Sequence, residues 1–218
     1  MNSSAFGFFE AGLEDINEHL TVAEYINTST TAIVRRAYEN FLRDAVIKTV
    51  GNIDAYFSKI IFELLLDRQA IFSPNLSGKG DIRISFSLKE LSDVLIEMSE
   101  DPLHNNLNLR RIIDEKLCTL ALQNHNVPNN LSRLFGVKDF WTSCQTDSLI
   151  KQITGNYDVH AHYKALTERR NTISHNYDQD IINAATQNMI TREFVDTGII
   201  TTRIIVNTFE RQVVSLYR

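Results

Sequence analysis

VHAHYKALTERRNTISHNY, residues 159–177, is the stretch whose reading decides the fold. An α-helix turns through ~100° per residue. With Val159 as origin, Tyr163, Leu166, Ile173 and Tyr177 all fall within about 40° of it and form one apolar stripe. Asn171, His175 and Glu168 fall at about 120°, 160° and 180°, on the opposite, polar side. Nothing in the stretch breaks a helix, so the spacing predicts an amphipathic helix over 159–177. Arg170 falls at about 20°, in the middle of the apolar stripe. An arginine there needs a reason, because burying an unpaired guanidinium is very costly. It either snorkels, meets a carboxylate across the core, or belongs to a site.

The rest of the chain also reads as helices. A first helix is expected from about Ser4 to Ile26, with Phe8, Leu13, Ile16, Leu20 and Ala23 at loose helical spacing. Asn27 to Thr30 offers cap and turn chemistry. A long helix follows from about Thr31 to Ile71, carrying Val46, Val50, Ile53, Phe57, Ile60, Ile61 and Leu64. Gly51 weakens that helix and suggests a bend. Ile82, Ile84 and Phe86 alternate with Arg83 and Ser85, which suggests a short extended piece at 81–86. Helices are then expected from about Leu88, after Ser87 as cap, from about Leu107 to Gln123, and briefly from Pro128 to just before Gly136. Phe140 and Trp141 read as core packing. A last helix runs from about Arg192 to Tyr217, capped by Thr191. Two long helices near the start, two near the end and shorter ones between predict an all-α bundle.

Composition agrees with this class. The chain has 218 residues, 43% of them apolar, with only three Pro and eight Gly. One domain of 1–218 with an enlarged middle segment at about 72–157 is the expected organisation. The formal charge of −5 excludes binding of nucleic acid by bulk electrostatics, so any such contact needs a local basic patch or two chains. Cys118 and Cys144 lie in different segments without metal-like spacing and are expected to be reduced thiols. No apolar run approaches the ~20 residues of a membrane span, and the N-terminus lacks a signal peptide's pattern. The expectation is a cytoplasmic protein without membrane contact.

A second charge lies inside an apolar band. Asp54 is on the line Val50, Asp54, Phe57, Ile61 of the long helix. A carboxylate there is costly unless it meets a cation or several donors. We expect it to meet Arg170 across the core, either as a device that fixes helix register or as the group that orients an arginine for phosphate. Arg43 lies ~16 Å away along the same helix and is better placed to pair with Glu39.

The motif Arg170-Asn171-Thr172-Ile173-Ser174-His175, at a helix end in an all-helical chain, resembles the Arg-x4–6-His signature of HEPN ribonuclease domains. Asn176-Tyr177 extends the match to Arg-x4-His-x-Tyr. The doubled Arg169-Arg170-Asn171 and the acidic residue on a long early helix look closest to the RiboL-PSP-HEPN variety. The resemblance covers roughly residues 30–71 and 158–217. It implies a HEPN-like bundle and a metal-independent endoribonuclease acting as a toxin or anti-phage effector. It further implies a homodimer whose signature helices meet, an RNA substrate, no cofactor, and an antitoxin or other defence protein as partner. The alternative is an inactive HEPN-like dimer that binds nucleic acid, nucleotide or protein.

The chemistry suits the residue types. In RNA the 2′-OH attacks the adjacent phosphorus once a base removes its proton and an acid protonates the leaving 5′ oxygen. Histidine suits both tasks near neutral pH, and arginine suits the phosphoryl oxygens. The candidate catalytic residues are therefore Arg170, His175 and Asn171, with Asp54 in support. Lys164 and Arg169 flank them as RNA contacts or as a solvated face. Tyr177 is either a core residue or, as the resemblance implies, a tyrosine to which a partner nucleotidyltransferase attaches AMP. His160 and His162 diverge by ~200° on a helix and cannot share a metal. His19, His104 and His125 are expected at the surface. Asn75 to Gly80 lacks the spacing of a phosphate loop and reads as a surface turn.

Overall fold

The computed structural model describes residues 2–27, 31–67, 87–100, 107–118, 122, 124–152, 157–176, 178 and 187–217. The described residues form eight α-helices and no strand. They are α1 (Ser4–Ile26), α2 (Ala32–Phe62), α3 (Leu88–Glu100), α4 (Leu107–Cys118), α5 (Val127–Leu134), α6 (Phe140–Cys144), α7 (Val159–Asn176) and α8 (Arg192–Gln212). A π-helical turn, Glu63–Asp67, extends α2, and 3₁₀ turns follow at Ser148–Gln152 and Val214–Tyr217. The all-α reading is correct. The expected extended piece at 81–86 lies outside the described residues.

Local chemistry explains the helix starts. Ser3 caps α1, its hydroxyl accepting from Phe6 N, and Thr191 caps α8 by accepting from Phe194 N. Ser87 and Glu90 form a reciprocal capping box at α3, with Glu90 N donating to Ser87 Oγ and Ser87 N to Glu90 Oε2. That arrangement, with Lys116 beside it, holds the Glu90 carboxyl down at about 2. Gly51 lies within α2, which continues through it as α-helix to Phe62. The last helix ends earlier than its pattern suggested, at Gln212, and closes in a 3₁₀ turn.

The core lies where α2 meets α1, α7 and α8. Phe9, Tyr56, Phe57 and Phe209 stack edge to face through it, with Phe57 and Phe209 ring centroids 5.4 Å apart. The middle segment contributes to the same core through Leu131, Phe135, Phe140 and Cys144. Burial pushes the Cys144 thiol up to about 12, which makes it inert packing rather than a nucleophile. Buried polar ties also cross the bundle. Glu210 of α8 accepts from Ser3 N, Ser3 Oγ and Tyr56 Oη, all in buried surroundings. Asn52 of α2 donates to the carbonyl of Phe9 at 2.9 Å, inside the α1–α2 contact.

Gly12 makes that last contact possible. A Cβ added there would stand 2.2 Å from Asn52 Oδ1. Gly12→Ala must therefore displace the Asn52 amide and break its bond to Phe9. The unpaired amide costs about 1–3 kcal/mol, and alanine's helix propensity returns only ~1. We expect a lower melting temperature, by about 2–4 °C for each kcal/mol of net loss. A Gly12→Ala protein that melts at or above wild type would show that Asn52 finds another partner.

Candidate active site

α7 begins where Asp158 caps it: its Oδ1 accepts from Ala161 N at 3.0 Å. The face expected to be buried is buried: Val159 and Tyr163 are fully enclosed, and Leu166 and Ile173 nearly so. Lys164, Glu168, Asn171 and His175 are exposed on the other side, and Arg170 is half-buried between the two. Lys164 Nζ stands 3.8 Å from Glu168 on this polar face. Tyr177 lies outside the described residues.

Arg170 is held without being neutralised. Its Nη1 donates to Asn171 Oδ1 at 3.0 Å, and its Nε is buried with no hydrogen-bond partner. Among the described residues no carboxylate forms an ion pair with it. Asp54 is nonetheless close enough for its charge to be felt. Burial raises the Asp54 carboxyl above its ordinary range, and the Arg170 guanidinium opposes that rise without cancelling it. The Tyr163 hydroxyl, fully buried and without a partner, is pushed up by burial and by the Asp54 charge. Asp54, Tyr163 and Arg170 thus share one pocket of field between α2 and α7, but no hydrogen bond joins them. The expected direct Asp54–Arg170 bridge is replaced by this looser neighbourhood. Asn171 turns its oxygen to Arg170.

Arg169 has a different environment from its neighbour. Its Nη2 donates to Asp178 Oδ2 at 2.7 Å and to the carbonyls of Asn188 at 3.0 Å and Met189 at 3.1 Å. From the sequence it is either an RNA contact or part of a solvated face; in the structure it is an internal cross-link. The same Asp178 Oδ2 accepts from Arg43 Nε of α2 at 2.8 Å. Arg43 also reaches Asn188 O at 2.8 Å and stands 3.9 Å from Glu39, the partner expected for it. Asp178 is the residue that the sequence reading missed. It is fully buried and has a left-handed backbone, φ 57°. An available signal was Arg43 itself, a cation set among Leu42, Ala45 and Val46 of the core.

Near the start of α7, His160 stacks on Trp141 of α6, centroids 4.6 Å apart. His125, expected at the surface, instead packs against His160 at 5.7 Å. Burial, with the neighbouring His160 and Lys164, lowers its pKa. Tyr157 likewise stacks on His162, at 4.2 Å. These contacts explain the imidazoles as packing between elements.

No family model, curated protein or solved structure matches this chain.

Asp54 supplies a test of the shared field. A carboxyl raised by burial stabilises the fold most when protonated, and that contribution is lost as pH rises through the raised value. Asp54→Asn should therefore melt higher than wild type at neutral pH, with the gain vanishing in acid. Arg170→Ala removes the one cation among the described residues that opposes burial here, so it should move Asp54 titration, followed by carboxyl NMR, to still higher pH. An unchanged Asp54 titration in Arg170→Ala would show that the two charges do not interact.

Proposed function

We propose that the chain is a metal-independent endoribonuclease of the HEPN type, with Arg170 and His175 as its catalytic pair. The observation that supports this most is the state of Arg170. It is half-buried, oriented by Asn171 and near Asp54, yet bound to no carboxylate of the described residues. A guanidinium held in place but not neutralised suits a phosphoryl group. One and a half turns along the same helix, His175 is exposed and free to reach a substrate.

The reaction follows from the groups. A base takes the 2′-OH proton, the 2′ oxygen bonds to phosphorus, and the bond from phosphorus to the 5′ oxygen breaks. An acid protonates that oxygen, leaving a 2′,3′-cyclic phosphate and a 5′-hydroxyl. Arg170 stabilises the charge on the phosphoryl oxygens as the new bond forms. One His175 serves as base or acid, and a second copy supplies the other. We infer a homodimer whose α7 helices meet through the polar face of Lys164, Glu168, Asn171 and His175. A toxin or anti-phage role fits such an activity, with an antitoxin or other defence protein to hold it in check.

A second reading is a dimeric binding module without nuclease activity. The charge of −5 and the withdrawal of Arg169 into an internal cross-link favour it. Labelled RNA incubated with the protein in excess EDTA separates the two. We expect cleavage to cyclic-phosphate ends. His175→Ala should lower the rate by about 10²–10⁴ and Arg170→Ala by about 10²–10³. Intact RNA after prolonged incubation with wild-type protein would favour the binding module. The dimer has its own measurement: sedimentation at micromolar concentration should show two chains, and a fully active monomer would refute the composite site.

A further inference from the structure

We propose that Asp178 is a positioning residue: it binds Arg169 and Arg43 internally and so leaves Arg170 as the one arginine of the doubled pair that meets the scissile phosphate. This rests on the ribonuclease reading above. The two neighbouring arginines have opposite surroundings. Arg169 Nη2 has three acceptors within 3.1 Å, and the side chain keeps only 22% of its exposure. Among the described residues Arg170 has one neutral acceptor and no carboxylate. Asp178 supplies the one charged acceptor that separates them.

The backbone of Asp178 fixes its carboxylate in place. Its N–H donates to Thr172 O at 3.2 Å, one turn before the end of α7. Its carbonyl accepts from Asn188 N at 2.8 Å and from Asn188 Nδ2 at 3.2 Å. Asn188 O in turn accepts from both Arg43 and Arg169. The end of α7, which carries Asn171 and His175, is thereby bolted to α2 and to the segment that leads into α8.

A simpler helix stop would cost less. A buried carboxylate desolvates strongly, its Oδ1 has no partner, and φ 57° is an uncommon backbone state for a side chain with a Cβ. An apolar contact would tie the same elements together. What the carboxylate does in addition is to decide which arginine remains available to an anion. Were Arg169 also free, two guanidiniums on adjacent residues would compete for one phosphate from different directions.

Side-chain NMR of the arginine Nε–H groups, titrated with inorganic phosphate, reads this without requiring RNA cleavage. In the wild-type protein the Arg170 signal should move with phosphate, while those of Arg43 and Arg169 stay still. In Asp178→Asn the Arg169 signal should move as well. Binding of a 2′-O-methyl RNA, which cannot be cleaved, should then show a salt slope steeper by about one. With cleavable RNA the same variant should lose at least tenfold in kcat without a rise in KM, a split that mere loosening of the fold would not give. Should Asp178→Asn fail to fold, the wild-type titration still decides. An Arg169 signal that follows phosphate alongside Arg170 overturns the proposal. So does phosphate that moves neither, or a folded Asp178→Asn in which Arg169 stays silent. Failure of the ribonuclease reading looks different: uncleaved RNA in EDTA, with the Arg170-selective phosphate shift intact.

Discussion

α2 is the constraint on which the rest of the structure depends. It contacts α1, α7 and α8, so from Leu42 onward most of it is covered, leaving Asp44, Lys48, Gly51 and Lys59 exposed along one side. The polar groups on its covered sides cannot reach water, and each must be answered within the protein. Asn52 is answered by the Phe9 carbonyl, and Arg43 by Asp178 and Asn188. Asp54 is the exception, with only the field of Arg170 against its desolvation. That exception faces α7, the helix that bears the candidate catalytic residues.

Much of this was legible in the sequence because it is periodic. The stripe of Val159, Tyr163, Leu166 and Ile173 could be read at 3.6-residue spacing, and so could the exposed side that carries Asn171 and His175. Arg170 and Asp54 stood out because each breaks an apolar pattern. Their mutual orientation was not legible. Opposite charges on facing apolar stripes imply proximity, but whether they touch depends on rotamers and on the approach of two backbones. Here Arg170 finds Asn171 instead.

Asp178 itself carried no such mark; only Arg43, a cation set among core residues, pointed to a buried carboxylate. Asp178 follows the helix rather than lying in it, so no periodicity marks its burial. Its partners are Arg43, 135 residues away in sequence, Arg169, and the backbone and side-chain amides of Asn188. Contacts of that kind arise when the chain doubles back, which depends on the whole topology. The identity of the residue gives only a faint indication: aspartate tolerates a left-handed backbone better than most side chains.

The cost of this arrangement is unevenly distributed, and that distribution bears on function. Among the described residues, the buried polar atoms without partners belong to His160, Tyr163, Arg169, Arg170, Asp178 and Gln212. All but Gln212 lie on α7 or just beyond it. A helix selected for stability alone would carry apolar residues at these positions, since an unpaired buried polar group costs about 1–3 kcal/mol. The neighbouring helices show that the fold manages polarity well elsewhere: the three donors on Glu210 and the capped starts of α1, α3 and α8 leave little unanswered. Departures from local consistency concentrate where a protein does something other than fold. That argument is why the proposed site is placed on α7, where Arg169 is bound inside and Arg170, among the described residues, meets no carboxylate.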